Sequence, residues 1–412
     1  MDSLENLIFA PLKLLEKKDF KKNIESINYQ QRKHLFNTII LNKFSPIYLN
    51  YLYSKKIDEL LNKNEILLLQ NQSKRFQIQN LEVIKEVLYI DKIFKKYNLS
   101  PVYLKGVALI NEFDDISLRS QYDIDILFSK KEVFKAYQAL KDSGYSEYRA
   151  TKKSLNKLKD YSNTHHHLPE LRRSTNIMIE LHHRVTTSYD FKKCPLTEKI
   201  FNNKESFNFF GAKIFKPSRN DLLIHLILHF SIQNLFCNTL RVFFDINQIE
   251  KKYNIDWIEI YNSYENVKIK KAILLSLGVF NKNFSMTNSF VKLKDKFPEN
   301  YPSNEIIDYC YDQALNLNKT KIPPRKLSKI AKKKSFKSLF LEIFYSLFLS
   351  RDNVIHTTKS SKSNILYIFY SSLILFFKRI NLYSFSVIKL IFRKGKVYND
   401  YKKIKKIQNW IN

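Results

Sequence analysis

The chain has 412 residues, enough for two or three domains with a full-sized core, and its 44% hydrophobic and 26% charged content is ordinary for a folded soluble protein. Its five glycines cannot be assembled into GxGxxG or GxxxxGK[ST], which leaves dinucleotide-binding, P-loop and kinase-type phosphate loops unsupported. The formal net charge of +31 favours phosphates, anionic headgroups or nucleic acid as partners, or else records compositional drift in a chain rich in Lys, Ile and Asn.

Residues 1–98 read as helical throughout, and "NLSP" ends the last helix. "PVYLKG" is a short strand stopping at Gly106, where a sharp turn leads into "VALINEF" as the next helix. "YDIDILFS" is a strand, and "KKEVFKAYQALKDSGY" an amphipathic helix ended by Gly144. "THHHLPEL" and "NIMIELHHRV" read as two further strands, and "FNFFGAKIFKPS" as a hairpin around Gly211. From Ser218 the pattern turns helical. Cys194, Cys237 and Cys310 are odd in number and form no CxxC pair, which argues for a reducing, cytosolic setting without a disulfide framework. "MDSLENLIFAPLKLLEKK" does not read as a signal peptide.

Beyond about residue 325 the character changes. "PPRKLSKIAKKKS" is a basic linker, and the aromatic, apolar stretches after it carry flanking Lys and Arg. Ser363–Phe377 is uncharged but shorter than the roughly 20 residues a spanning helix needs. Such faces suit either an interfacial helix at the inner face of a membrane or a terminal helical hairpin packed on the body.

The chemistry concentrates between these regions. Side chains alternate along a strand, so Asp123 and Asp125 share one face while Ile124 and Ile126 share the other. Two like charges that close repel unless a cation lies between them, and Mg²⁺ or Mn²⁺ prefers carboxylate oxygen. In "NIMIELHHRV", Met178, Glu180 and His182 share a face, so Glu180 could be a third carboxylate on a neighbouring strand. The alternative is a pair of strand-end aspartates capping a turn. Lys105 lies beside Gly106, and Arg119 lies four residues before Asp123. His165 and His167 would share a face if "THHHLPEL" is a strand. His225 and His229 lie i,i+4, but "HLILH" lacks the glutamate of HExxH, which argues against a zinc protease. Arg241 and Asp245, also i,i+4, read as a helix-stabilising pair.

"YLKGVALI", "LRSQYDIDILFSKKEVFKAYQALKDSGY", "HHHLPEL", "IMIELHHRV", "FFGAKIFKPSRNDLLIHLILHF" and "RVFFDI", in that order, resemble the bacterial uncharacterised nucleotidyltransferase family of the polymerase-β superfamily. The resemblance covers about residues 75–250. It implies an α+β fold, with a small mixed-sheet nucleotidyltransferase core between helical regions. It implies metal binding by Asp123, Asp125 and Glu180, and it puts Lys105, Gly106 and Arg119 near the triphosphate of an NTP, with His182 at the site. The wider superfamily usually shows Gly-Ser at the phosphate turn. Here Val107 follows Gly106, so Lys105 or the backbone must supply the missing contact.

The expected organisation is a helical region 1–98, the α/β core 99–216, a helical domain 217–324 and the basic apolar tail 325–412. The expected activity is Mg²⁺- or Mn²⁺-dependent transfer of a nucleoside monophosphate from an NTP to a hydroxyl acceptor. A sugar or lipid-linked acceptor, as in surface-polysaccharide synthesis, fits peripheral membrane contact through the tail. A tRNA acceptor fits the charge. The reading from another class is a non-catalytic scaffold on a degenerate transferase fold.

Overall fold

Alternation along two five-residue strands sets the layers of the fold. β2 (Asp123–Leu127) and β5 (Met178–His182) lie side by side, and their odd and even positions divide a polar face from an apolar one. In the computed structural model the described residues are 3–147, 158, 162–163, 165–173, 177–187, 191, 194–237, 240–284, 286, 288–315, 369–377 and 395–412. They build an α+β protein around one mixed sheet.

The other strands are β1 (Val102–Tyr103), β3 (Ser146–Glu147), β4 (Leu171–Arg172), β6 (Glu205–Phe209) and β7 (Ala212–Lys216). The sheet order is β3-β4-β5-β2-β1-β7-β6. β2 runs parallel to β5 and antiparallel to β1, and β1 runs parallel to β7. The β6–β7 hairpin turns through Phe210 (φ 48°) and Gly211 (φ 87°), two successive positive angles that match the right-handed twist of the flanking strands.

Ile124, Ile126, Ile179 and Leu181 are wholly buried on one face. Against them pack Val83, Val87, Ile90 and Phe94 of the long helix Lys63–Lys96, and Ala136 and Leu140 of the helix Val133–Asp142. Asn62 opens the long helix with a reciprocal capping box to Glu65. Gly144 (φ 89°) closes the shorter one, with Tyr145 N–H donating back to the Leu140 carbonyl. This hydrophobic layer fixes the register and leaves the opposite face of β2 and β5 for polar side chains.

Three local expectations are corrected. β1 ends at Tyr103, and the left-handed residue of the following turn is Lys105 (φ 42°), not Gly106. "VALINEF" is not one helix: Lys105–Ala108 forms a single turn and Ile110–Glu112 a 3₁₀ turn. "THHHLPEL" is not a continuous strand. His167 makes an isolated bridge with His182, and a paired strand resumes only at Leu171. Pro169 lies between them and has no N–H to donate to a ladder.

The described chain divides into two compact units. The first carries the sheet and the helices as far as Tyr301. Within it the N-terminal helices pack on the helix Arg241–Lys252, through Phe9 against Phe243 (5.4 Å between centroids) and Phe44 against Phe244 (4.4 Å). The second unit includes Phe230–Cys237 and the helices Asn304–Leu315 and Gly395–Ile411. Lys406–Glu305 (2.7 Å) and Lys403–Asp312 (3.1 Å) join its two helices. No helix among the described residues is long and apolar enough to cross a membrane. The basic linker and most of the apolar tail lie outside the described residues. Of the uncharged stretch, 369–377 is helical, with Phe369, Tyr370 and Phe377 exposed.

Candidate active site

The parallel register sets Asp123 beside Met178, Asp125 beside Glu180 and Leu127 beside His182. Asp123, Asp125 and Leu127 therefore share with Met178, Glu180 and His182 the face opposite the apolar layer. Asp125 is the centre of this face. Its Oδ1 accepts from Lys105 Nζ at 2.7 Å and lies 2.9 Å from His182 Nε2. His182 Nε2 is also 3.3 Å from Glu180 Oε2. Asp125 and His182 are each 1% exposed.

Burial pushes the Asp125 carboxyl up, but Lys105 and the His182 hydrogen bond outweigh it and hold Asp125 well below the usual carboxylate range. Burial lowers His182, and its bonds to Asp125 and Glu180 raise it further than burial lowers it. Burial likewise opposes the charge of Lys105, yet Asp125, Glu180 and Asp123 together lift its pKa. Asp123 goes the other way: burial first and the neighbouring Asp125 charge second push its carboxyl up. The face thus carries one carboxylate held down by Lys105 and His182 and another, Asp123, pushed up by burial and its neighbour.

Asp125, Glu180 and His182 each offer a ligand atom, all within 4.8 Å of one another. Two carboxylate oxygens and an imidazole nitrogen at that separation fit a divalent cation. Asp123 shares the face but does not join that trio.

Gly106 has a different task from the one its scarcity suggests. A Cβ there would lie 3.0 Å from Arg119 Nη1 and 3.1 Å from Gln121 Oε1, so any larger residue would push these side chains aside. Arg119 is 4% exposed and forks onto Asp245, Nε to Oδ1 at 2.8 Å and Nη2 to Oδ2 at 3.0 Å. This corrects the expected Arg241–Asp245 pair: Arg241 instead donates to the Ser120 carbonyl at 2.8 Å. Asn80 of the long helix ties down the same loop. Its amide donates to the carbonyls of Ile116 (2.7 Å) and Arg119 (3.0 Å), and its oxygen accepts from Gln121 N–H (2.9 Å).

Two side chains near the site escape sequence reasoning. Lys43, from the N-terminal helices, stands over the Tyr122 ring at 3.3 Å, beside Asp123. Burial and the charge of Arg241 lower its pKa to about 8. Gln121 is 2% exposed, and neither its amide nitrogen nor its oxygen has a hydrogen-bond partner among the described residues. A lysine in a lysine-rich chain, and a glutamine in a loop, give no pattern by which to find them.

The histidines sort by position. The rings of His166 and His167 lie 5.2 and 5.4 Å from His182. His167 Nδ1 donates to the Leu168 carbonyl at 2.7 Å, and His183 Nε2 to that of His165 at 3.0 Å. His225, on the helix Arg219–Leu228, is buried near Lys105. Burial and that charge lower its pKa to about 3, so it is neutral. The α-helix ends at Leu228, and His229, with helical angles, donates its N–H to the His225 carbonyl, so the two histidines keep their i,i+4 relation.

A mixed sheet that lines up carboxylates from adjacent parallel strands beside a basic turn, with the family match that follows, fits a nucleotidyltransferase-like fold with helical flanks. The chain belongs to the uncharacterised nucleotidyltransferase family, whose model matches residues 30–285. No curated protein and no solved structure matches it.

Proposed function

We propose that the protein transfers a nucleoside monophosphate from an NTP to a hydroxyl acceptor, with Mg²⁺ or Mn²⁺ held by Asp123, Asp125 and Glu180. The register of β2 against β5 carries this reading, because it aligns those carboxylates on one face next to Lys105 and the Gly106 turn. When bound, such a cation neutralises phosphate charge and acidifies an attacking hydroxyl.

The chain's own residues do the rest. His182 orients Asp125 through Nε2. Lys105, resting on Asp125, is the cation that moves to the triphosphate. Arg119, locked to Asp245, backs the Gly106 turn and keeps its backbone in position for phosphate. The acceptor proton leaves towards the Asp125–Glu180 pair. The acceptor oxygen bonds to the α-phosphorus as the bond from that phosphorus to the bridging oxygen breaks, and pyrophosphate departs with the electron pair. Rate enhancement comes from positioning and preorganised charge.

A sugar or lipid-linked acceptor accords with the apolar, basic tail, and tRNA with the net charge of +31. Pyrophosphate release tests the reaction. It should require Mg²⁺ or Mn²⁺ and vanish in Asp125→Asn and Glu180→Gln variants whose circular dichroism is unchanged. Release that persists in both variants rules the site out. Salt-sensitive tRNA binding then selects RNA, whereas vesicle pelleting that depends on residues after about 325 selects a membrane-linked acceptor.

A further inference from the structure

The phosphate turn of this chain lacks the serine that would donate to a phosphate, and two side chains bear on that gap, one against the Gly106 turn and one at the entry to β2. The first, Gln121, belongs to the loop that enters β2. The backbone of this loop is fastened by Asn80 at Ile116, Arg119 and Gln121, and by Arg241 at Ser120. Arg119, locked to Asp245, fills the space on one side of Gly106. Beside this fastened backbone the carboxamide of Gln121 has neither atom paired among the described residues, although the residue is 2% exposed and lies against the Gly106 turn. Buried amides are almost always satisfied, and leaving one unpaired costs more than replacing it with an apolar group. A rigid loop that holds such a group against the turn suits a ligand arriving there.

The second is Lys43. Its backbone is left-handed (φ 64°), and its ammonium stands over Tyr122, the residue between Gln121 and Asp123. The cation is thus brought to the site by an N-terminal segment distant in sequence, next to a carboxylate and to Arg241.

We propose that Gln121 and Lys43 complete the triphosphate site, the Gln121 amide nitrogen donating to a phosphate oxygen where a serine would, and the Lys43 ammonium bracing the same phosphates from the Tyr122 side. This rests on the nucleotidyltransferase reading above. The Gln121 oxygen stays on the turn, and Lys105 is left to leave Asp125.

The test uses the full chain and two probes, inorganic tripolyphosphate with Mg²⁺ and each common NTP with Mg²⁺, measured by calorimetry. Gln121→Met keeps the side-chain volume and removes the unpaired amide, so it should preserve or raise the melting temperature. It should weaken tripolyphosphate and NTP binding about 10- to 100-fold, the worth of a hydrogen bond to a charged group. Lys43→Met should weaken both probes to a similar degree, and Lys43→Arg should restore most of the loss. Mn²⁺ binding without nucleotide should be unchanged in Gln121→Met, because the amide touches no carboxylate ligand. If the wild type binds the probes and Gln121→Met and Lys43→Met bind them equally well, the assignment is wrong while the transferase reading survives. A lowered melting temperature with unaltered phosphate affinity makes Gln121 structural and likewise overturns it. If the wild type binds neither probe, both fall together.

Discussion

Asp125 Oδ1 meets both the Lys105 ammonium and His182 Nε2, and that arrangement has a thermodynamic consequence. A metal that binds Asp125 through Oδ1 competes with Lys105, and a displaced Lys105 then needs another anion. The triphosphate is such an anion, so metal and nucleotide should bind cooperatively. Lys105→Met should therefore raise the affinity for Mn²⁺ alone by about tenfold and abolish most of the coupling to NTP, read by spin-resonance titration. Unchanged Mn²⁺ affinity would mean that Lys105 does not compete for the site. His225 gives a second residue-level expectation. Unfolded, its imidazole titrates near about 6.5; buried in the fold, its pKa is lowered to about 3. Between those values the unfolded chain binds the extra proton. Stability is thus complete above the unfolded pKa and lost as pH falls towards 3, by roughly 1.4 kcal/mol per pH unit at the steepest. Denaturant melts of His225→Leu should show a flatter acid limb than wild type. An identical acid limb would place the titration elsewhere.

At the level of elements, the turn between β1 and β2 depends on one missing side chain. A Cβ on Gly106 would press on Arg119 Nη1, and Arg119 cannot retreat because both of its donors to Asp245 are in place. Gly106→Ala should cost roughly 1–3 kcal/mol, as overpacking does, measured by urea melts. Combining it with Asp245→Ala, which frees the guanidinium, should give less than additive loss. Strict additivity would show that the two positions are not coupled through Arg119. The same elements show what a sequence reveals. "DIDIL" and "MIELH" disclosed the shared polar face because the period of a strand is two and both strands bury their other face. The parallel pairing that sets Asp125 beside Glu180 was not legible there, because alternation fixes neither the neighbour of a strand nor its direction. The Arg119–Asp245 ion pair was hidden, since it joins positions 126 apart in the chain and Asp245 has a nearer arginine in sequence at Arg241. The triple histidine misled because alternation says nothing of the ladder that Pro169 interrupts. Lys105 taking the left-handed angle beside a glycine has no signature in residue type.

For the molecule as a whole, the N-terminal helical region reaches the edge of the candidate site. Phe44 packs on Phe244, and Lys43, one residue earlier, reaches Tyr122. The helical N-terminal region read from the sequence as a separate stretch thereby contributes a cation beside the carboxylates. The charge of +31 adds a long-range field that draws polyanions towards the surface, an effect that salt weakens. Neither feature names the acceptor. Both bear on how an NTP arrives, and that is where the central claim is most exposed. The most direct measurement is calorimetric binding of each common NTP to the purified full chain, with and without Mg²⁺ or Mn²⁺, alongside Asp123→Asn. The account predicts metal-dependent binding of at least one NTP that is lost in Asp123→Asn while the melting temperature is kept. Absence of binding to any NTP with either metal, or binding that Asp123→Asn leaves intact, would contradict it.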